Sequence, residues 1–238
     1  MLKRFIILFV CVTFCCFQAN AGWFPLAASS GNPTWTATTS GVNAACGFVT
    51  TCTITGLTVS SGFNVVVLGG TNQSGATSTV SSVTLCGTSL TLVQAPSAAG
   101  GNALGALFAG TVTGGTCSLA ATASAAGAWQ TMSGALGLLS NLSSTTATGS
   151  CNSIFIGSQA SPYECASTLT IAAGGFAIGG LAVTTNSAVG TDTLIFDANS
   201  PATASAAGIG HSSVAGSINA GLGDGNFQNV VVMAGTWR

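Results

Sequence analysis

The chain has 238 residues, of which 47% are hydrophobic and only 3% charged, with a single histidine. No charged side chain occurs between Arg4 and Glu164, so there is no basic patch to neutralise phosphates and nucleic acid is excluded as a partner. The apolar fraction argues against a disordered linker, and Ser and Thr interrupt nearly every apolar run before the about 18 residues that mark a membrane helix.

The N-terminus, "MLKRFIILFVCVTFCCFQANA", places Lys3 and Arg4 before an apolar stretch from Phe5 to Phe17, then Ala19-Asn20-Ala21 as a small-x-small site. Residues 1–21 therefore read as a secretory signal peptide. The apolar stretch is shorter than the roughly 20 residues of a helical span. The remaining 217 residues suffice for one sizeable core. Their formal net charge is −3, Arg238 standing against Glu164, Asp192, Asp197 and Asp224. So little charge gives copies little mutual repulsion, and a homo-oligomer or lattice is the expected partner. The expected location is secreted or cell surface, extracellular or periplasmic, with no transmembrane span in the mature chain.

Six cysteines follow the signal: Cys46, Cys52, Cys86, Cys117, Cys151 and Cys165. An even number in an exported chain reads as three disulfides. Sequence does not choose among the possible pairings; proximity suggests Cys46–Cys52, Cys86–Cys117 and Cys151–Cys165. With no C-x-x-C pair and only His211 to add, a metal site is not expected.

Residues 22–49, with Pro25, Pro33 and many small polar residues, read as an N-terminal lead-in or edge segment. Residues 50–238 read as one all-β domain, an antiparallel, jelly-roll-like β-sandwich stapled by disulfides. Its strand candidates begin with two β-branched runs, Thr51 to Val59 and Phe63 to Leu68, split by Ser-Ser-Gly. A hairpin follows, with Val83 and Leu85 on one arm, Leu90 and Leu92 on the other, and Gly87-Thr88 near the turn. Next come Ala103 to Val112, Cys117 to Ala123, Ala128 to Leu136 and Ser153 to Ile156.

The second half repeats the pattern with Ser167 to Ile171, Gly175 to Thr185, Asp192 to Phe196, Ala202 to Ile209, Val214 to Ala220 and Asn226 to Gly235. Within it, "STLTIAAGGFAIGGLAVTTN" is the one segment that could pass for a membrane helix. Its apolar part, Leu169 to Val183, is too short and is broken by glycines. It reads instead as a strand, a Gly-rich turn and a second strand buried on both faces or beneath a close neighbour.

The order "TITGLTVSSGFNVVVLGG", "VSSVTLCGTSLTLVQ", "NALGALFAGTVTGGTCSLAAT", "AWQTMSGALGLLS" and "STLTIAAGGFAIGGLAV" resembles the Gly/Ser/Thr-rich jelly-roll sandwiches of bacterial exported and phage structural proteins. The resemblance covers roughly residues 50 to 238 and lies in texture and strand order, with Val80 to Thr91 matching a V-x-x-V-x-x-x-G-x-x-L-T hairpin. It implies an attachment, surface or virion-appendage role with no catalytic residues. The signal peptide and the six cysteines depart from the phage version.

Catalytic constellations are scarce. His211 has no G-x-S-x-G nucleophile elbow to serve. Asp192 and Asp197 flank "TLIF" five residues apart, which puts them on opposite faces of a regular strand rather than in one cleft. Asp224-Gly225 suits a tight turn better than a calcium cage. No cofactor is expected. A glycan remains a possible partner, because neutral amides and aromatic faces serve sugar binding. Trp23, Trp35 and Tyr163 are the candidate platforms, whereas Trp129 and Trp237 sit in strand-like segments and read as core. Asn72-Gln-Ser and Asn141-Leu-Ser match the asparagine glycosylation acceptor. The resulting expectation is an exported, non-enzymatic structural or adhesive surface protein that self-assembles; the alternatives are a carbohydrate-binding module or a virion surface or tail component. With four carboxylates and one imidazole in the exported part, few protons can distinguish folded from unfolded chain. The denaturant midpoint, followed by intrinsic fluorescence, is expected to move little between about pH 4 and pH 8.

Overall fold

A computed structural model describes residues 33–71, 78–96, 103–155 and 230–238, and between 155 and 230 the short segments 159–160, 163–164, 169–171, 175–185, 188–190, 194–196, 202–204, 209–213, 216–218, 220–222 and 226–227. Residues Asn32–Arg238 form one compact unit. The described residues contain no helix, and their strand pairings are antiparallel.

The first half supplies β1 (Thr34–Val49), β2 (Thr51–Val59), β3 (Gly62–Thr71), β4 (Val80–Leu85), β5 (Thr88–Ser89), β6 (Thr91–Gln94), β7 (Ala103–Val112), β8 (Gly115–Ala123), β9 (Trp129–Ser140) and β10 (Gly149–Phe155). In the second half the described residues supply β11 (Gln159–Ala160), β12 (Tyr163–Glu164), β13 (Leu169–Ile171), β14 (Gly175–Thr185), β15 (Ala188–Gly190), β16 (Leu194–Phe196), β17 (Ala202–Ala204), β18 (Ile209–Ser213), β19 (Gly216–Ile218), β20 (Ala220–Leu222), β21 (Asn226–Phe227) and β22 (Val230–Trp237). Three expected strands, β2, β7 and β14, have the anticipated limits. The expected Ala202-to-Ile209 run begins in β17 and ends in β18, and the expected Val214-to-Ala220 run holds β19 and the first residue of β20, the rest of each lying outside the described residues; β9 runs on to Ser140.

Three sheets of longer strands organise the molecule, beside a sheet of two- and three-residue strands, β12-β20-β16-β17, and the pairs β11-β21 and β13-β19. The central one has strand order β1-β9-β3-β7-β6, a second has β2-β8-β4-β5, and a third has β10-β22-β14-β15 with β18 also paired to β14. Side-chain parity shows how they stack. Val66 and Leu68 of β3, and Leu104, Ala106 and Phe108 of β7, pack with Leu57, Val59, Val83, Leu85, Leu119 and Ala121 of the second sheet. The alternate residues Val65, Val67 and Leu107 pack with Phe176, Ile178, Met233 and Trp237 of the third. The sequence pattern leads to two facing sheets; the structure adds a third layer over the outer face of the central one. The cause is legible in "NVVVLGG" and "ALGALFAG", which are apolar at successive positions and so leave no face suited to water. Val65, Val66, Val67 and Leu68 are all 0% exposed.

The expected hairpin is real but short. Its second arm is only Thr88–Ser89, which pairs with Thr84 and Leu85 through a turn in which Cys86 and Gly87 both have positive φ, 51° and 76°. That left-handed pair is the hairpin geometry matching strand twist. After Leu90 the chain crosses the core: Leu90 stays buried and its N–H donates to Val83 O, while Thr91–Gln94 pairs with β7 in the central sheet. Leu92 thus belongs to a different layer from Val83 and Leu85.

Disulfides tie the corners. Cys46–Cys52 joins the end of β1 to β2, linking two sheets, and Cys86–Cys117 joins the β4–β5 turn to β8. Cys151 is also disulfide-bonded; Cys165, its expected partner, lies outside the described residues. The segment first weighed as a membrane helix is strand β13 and strand β14. Gly175–Gly180 is buried along its length, and no helix among the described residues is long and apolar enough to cross a membrane.

Close layer packing needs a missing side chain at Gly105. A Cβ there would lie 2.8 Å from Val231 Cγ1 and 3.0 Å from Met233 Cε. Gly105→Val is expected to destabilise the protein by about 1–3 kcal/mol through overpacking, read as a lower midpoint in guanidinium unfolding.

Candidate functional site

A cleft of 510 Å³ opens where the central and third sheets meet at the β6 edge. One wall is Thr91, Leu92 and Val93 of β6, the other is the segment 145–150 leading into β10, and Phe63, Ala109 and Trp237 lie between them. These side chains arrive from local causes. Phe63 opens β3 just after the Ser60-Ser61 break, and Trp237 closes β22, so two aromatics from different sheets meet at the same end. Their rings lie edge to face, with centroids 6.4 Å apart and planes at 64°. Such a pair contributes about 0.5–1.5 kcal/mol beyond its area burial.

Hydrogen bonds hold both walls. Thr148 N–H donates to Thr236 O at 2.7 Å, and the two threonine hydroxyls lie 3.0 Å apart. Gln94 bridges the layers: its Nε2 donates to Ser150 Oγ at 2.8 Å and its Oε1 accepts from Asn152 Nδ2 at 2.6 Å. Behind Phe63, the buried Asn64 amide donates to Ser60 O at 2.9 Å and Gly62 O at 3.0 Å, which fixes the bend from which β3 starts. Every lining side chain is neutral. The cleft therefore offers packing surface and hydroxyl hydrogen bonds, and no acid or base.

A second feature lies at the opposite end of the central sheet. Between the pairs Ala45↔Thr131 and Val49↔Trp129 the register of β1 shifts, and the extra residues bulge outward. Gly47 and Phe48 carry φ of 68° and 64°. Phe48 is 54% exposed and Val49 37%. The Cys46–Cys52 bridge closes the base of this tip.

Of the expected ligand platforms, Trp35 lies half-buried at the β1 edge, its indole filling the space over Gly137, and it packs against the core between the central and third sheets. Tyr163 is in β12, its backbone paired with Leu222. Trp23 lies outside the described residues. Trp129 and Trp237 are buried, 0% and 1% exposed, as their strand positions suggest. Trp237 nevertheless floors the cleft. His211 pairs with Ala177 through the backbone of β18, and Glu164 with Gly221 through that of β12. Asp192, Asp197, Asp224 and Asn72 lie outside the described residues, while Asn141 is exposed in the turn after β9. Among the described residues no cluster of His, Cys, Asp or Glu could hold a metal ion.

Sequence reasoning missed both the cleft and the tip. Thr145 to Ser150 reads only as polar loop, and Phe48 only as part of a lead-in. The signal that could have pointed to the tip is the short Cys46-to-Cys52 spacing around a lone aromatic. The chain matches no protein-family model and none of the curated proteins.

Asn64→Ala removes the donors to two carbonyls at a buried bend. It is expected to cost about 1–3 kcal/mol, visible as a lower midpoint in urea, while Asn152→Ala, at its half-buried bond to Gln94, costs less.

Proposed function

We propose that this chain is an exported structural or adhesive protein of a cell or particle surface, without enzymatic activity and acting in multiple copies. The observation that supports it best is a central sheet buried on both faces, covered on one side by a second sheet whose outer positions carry neutral side chains. Exposed positions on β2 and β4 are Thr51, Thr53, Thr55, Thr58, Ser81 and Ser82, along with Gly56. Such a surface dissolves through hydroxyls and puts no like charges in the path of an approaching copy. The disulfides accord with an oxidising compartment, and the signal-like N-terminus and the resemblance to jelly-roll surface proteins favour the same reading.

The route of association is narrowed by the sheet edges. In the central and second sheets these are β1, β6, β2 and β5. Register shifts interrupt β1 at three places, β2 between Ile54 and Leu57 and β6 between Leu92 and Gln94, while β5 has two residues. Bulged and short edges resist strand-to-strand addition. Around these two sheets, contacts between copies then fall to side chains, whereas β10, an edge of the third sheet, keeps an unbroken register with β22.

A carbohydrate-binding module is the second reading, and the hydroxyl-rimmed cleft favours it. Its weak point is the aromatic floor: Trp237 is buried and Phe63 half-buried, so neither presents an open face for a sugar ring.

Light scattering on the exported chain across a wide concentration range is expected to show mass rising above the monomer. A constant monomer mass at every concentration removes the multiple-copy reading.

A further inference from the structure

We propose that Asn141 is a site of N-linked glycosylation, its side-chain amide carrying a neutral oligosaccharide on the exported chain. The proposal rests on the exported reading above and assigns a modified residue within it.

Sequence narrows the candidates first. An acceptor asparagine needs a Ser or Thr two positions on and no proline between. Asn72-Gln73-Ser74 and Asn141-Leu142-Ser143 meet both conditions, whereas Pro33 disqualifies Asn32. Asn72 lies outside the described residues. The amides of Asn64 and Asn152 are engaged with Ser60 O, Gly62 O and Gln94 Oε1, and neither residue has a hydroxyl at the required place.

The fold presents the 141–143 triplet outward. Asn141 follows Thr34↔Ser140, the terminal pair of the β1–β9 ladder, in a bend. Asn141 and Ser143 are exposed, while the spacer Leu142 turns in and packs against the core between the central and third sheets. The two side chains that define the acceptor thus face solvent, and the one that does not anchors the turn. Its far side is held where Ser144 N–H donates to Arg238 O at 2.8 Å. Among the described residues no hydrogen bond engages the Asn141 amide, so a sugar on Nδ2 breaks no contact of the folded chain. The left-handed backbone at Asn141, with φ of 60°, accounts for an asparagine there. Glycine would meet that need equally, and neither accounts for the hydroxyl at Ser143.

The donor is an oligosaccharide linked to a polyprenyl pyrophosphate, used by a membrane transferase of the export pathway. Asn141 Nδ2 forms a bond to the anomeric carbon as the bond from that carbon to the pyrophosphate oxygen breaks. The polyprenyl pyrophosphate leaves with the electron pair, and one amide proton passes to a base of the transferase. A bulky, solubilising group at this point supplies what charge supplies on other surfaces. The same connection runs on into Thr145 and Thr146, so the sugar stands beside one wall of the cleft.

The test is secretion of the full chain from a eukaryotic host, with intact mass and peptide mapping before and after peptide-N-glycosidase, which removes an Asn-linked glycan and leaves aspartate. The peptide spanning position 141 is expected to carry hexose and N-acetylhexosamine mass and to be recovered with aspartate at 141 after the enzyme. Asn141→Gly, which keeps the left-handed turn, and Ser143→Ala are each expected to abolish that glycan. Ser143→Thr retains it, and Asn72→Gln leaves it unchanged. Circular dichroism of the secreted variants, matching that of the parent, separates a lost acceptor from a lost fold. A secreted parent whose Asn141 is unmodified overturns the site and spares the exported reading. So does a glycan that survives Asn141→Gly and disappears with Asn72→Gln. A parent retained in the cell with its N-terminal segment uncleaved overturns both.

Discussion

The structure depends on one constraint: the central sheet cannot show either face to water. β3 and β7 pair along their whole lengths, Gly62↔Val112 through Thr71↔Ala103, and carry apolar residues at odd and even positions alike. Transferring both faces from water, at about 25 cal/mol per Å² of apolar area, is the main favourable term, and it obliges a layer on each side. The second sheet meets Val66, Leu68 and Phe108; β14 and β22 of the third meet Val65, Val67 and Leu107. Gly105 then follows as a consequence, since a third layer this close leaves no room for a Cβ beside Val231 and Met233.

The same constraint explains how a chain with almost no charge remains a defined fold. Many proteins guard sheet edges with lysine or inward-pointing charges, and between Arg4 and Glu164 there are none to use. Geometry takes over: bulges in β1, β2 and β6 and a two-residue β5 break the regular row of backbone donors and acceptors. Disulfides secure the corners where the chain changes sheet. Cys86–Cys117 spans 31 residues and Cys46–Cys52 only 6, so in the chain-entropy view the longer loop contributes about 4 kcal/mol and the shorter about 2. The short bridge restrains the tip locally more than it stabilises the whole.

How much of this the sequence displays follows from what each signal measures. β-branched runs bounded by Gly and Ser point to β2, β3 and β4, and β14 has its expected limits because its sequence is apolar at successive positions, buried on both faces over Gly175–Gly180. The crossing at Leu90 is not visible in sequence, since Thr88–Ser89 and Thr91–Gln94 look like one arm; only the depth of Leu90 and the pairing of Thr91 with Ala109 reveal the change of layer. β1 reads only as a lead-in or edge segment because of Pro33 and its small polar residues; its sixteen residues make eleven pairs with β9 across three register shifts, which an edge position tolerates. The cleft was hidden for a deeper reason. Its parts, Phe63, Leu92, Trp237 and the segment 145–150, come from four places far apart in the chain, and none carries a charge, a metal-binding group or a motif spacing.

A neutral protein also changes what a binding site can look like. Charged sites announce themselves through clustered ionisable residues and shifted titration, because a buried charge must find a partner. Here every candidate surface is made of hydroxyls, amides and hydrocarbon, so specificity has to come from shape. Shape is held by the contacts behind the surface: Asn64 fixes the bend that aims Phe63, Gln94 locks β6 to β10 through Ser150 and Asn152, and Thr148 fastens the cleft wall to Thr236. Of these contacts Gln94 crosses from the central to the third layer, while Asn64 and Thr148 brace the two sides of the cleft each within its own layer. The recognition chemistry of this chain therefore resides less in the side chains that would touch a partner than in the buried and half-buried amides that hold them still.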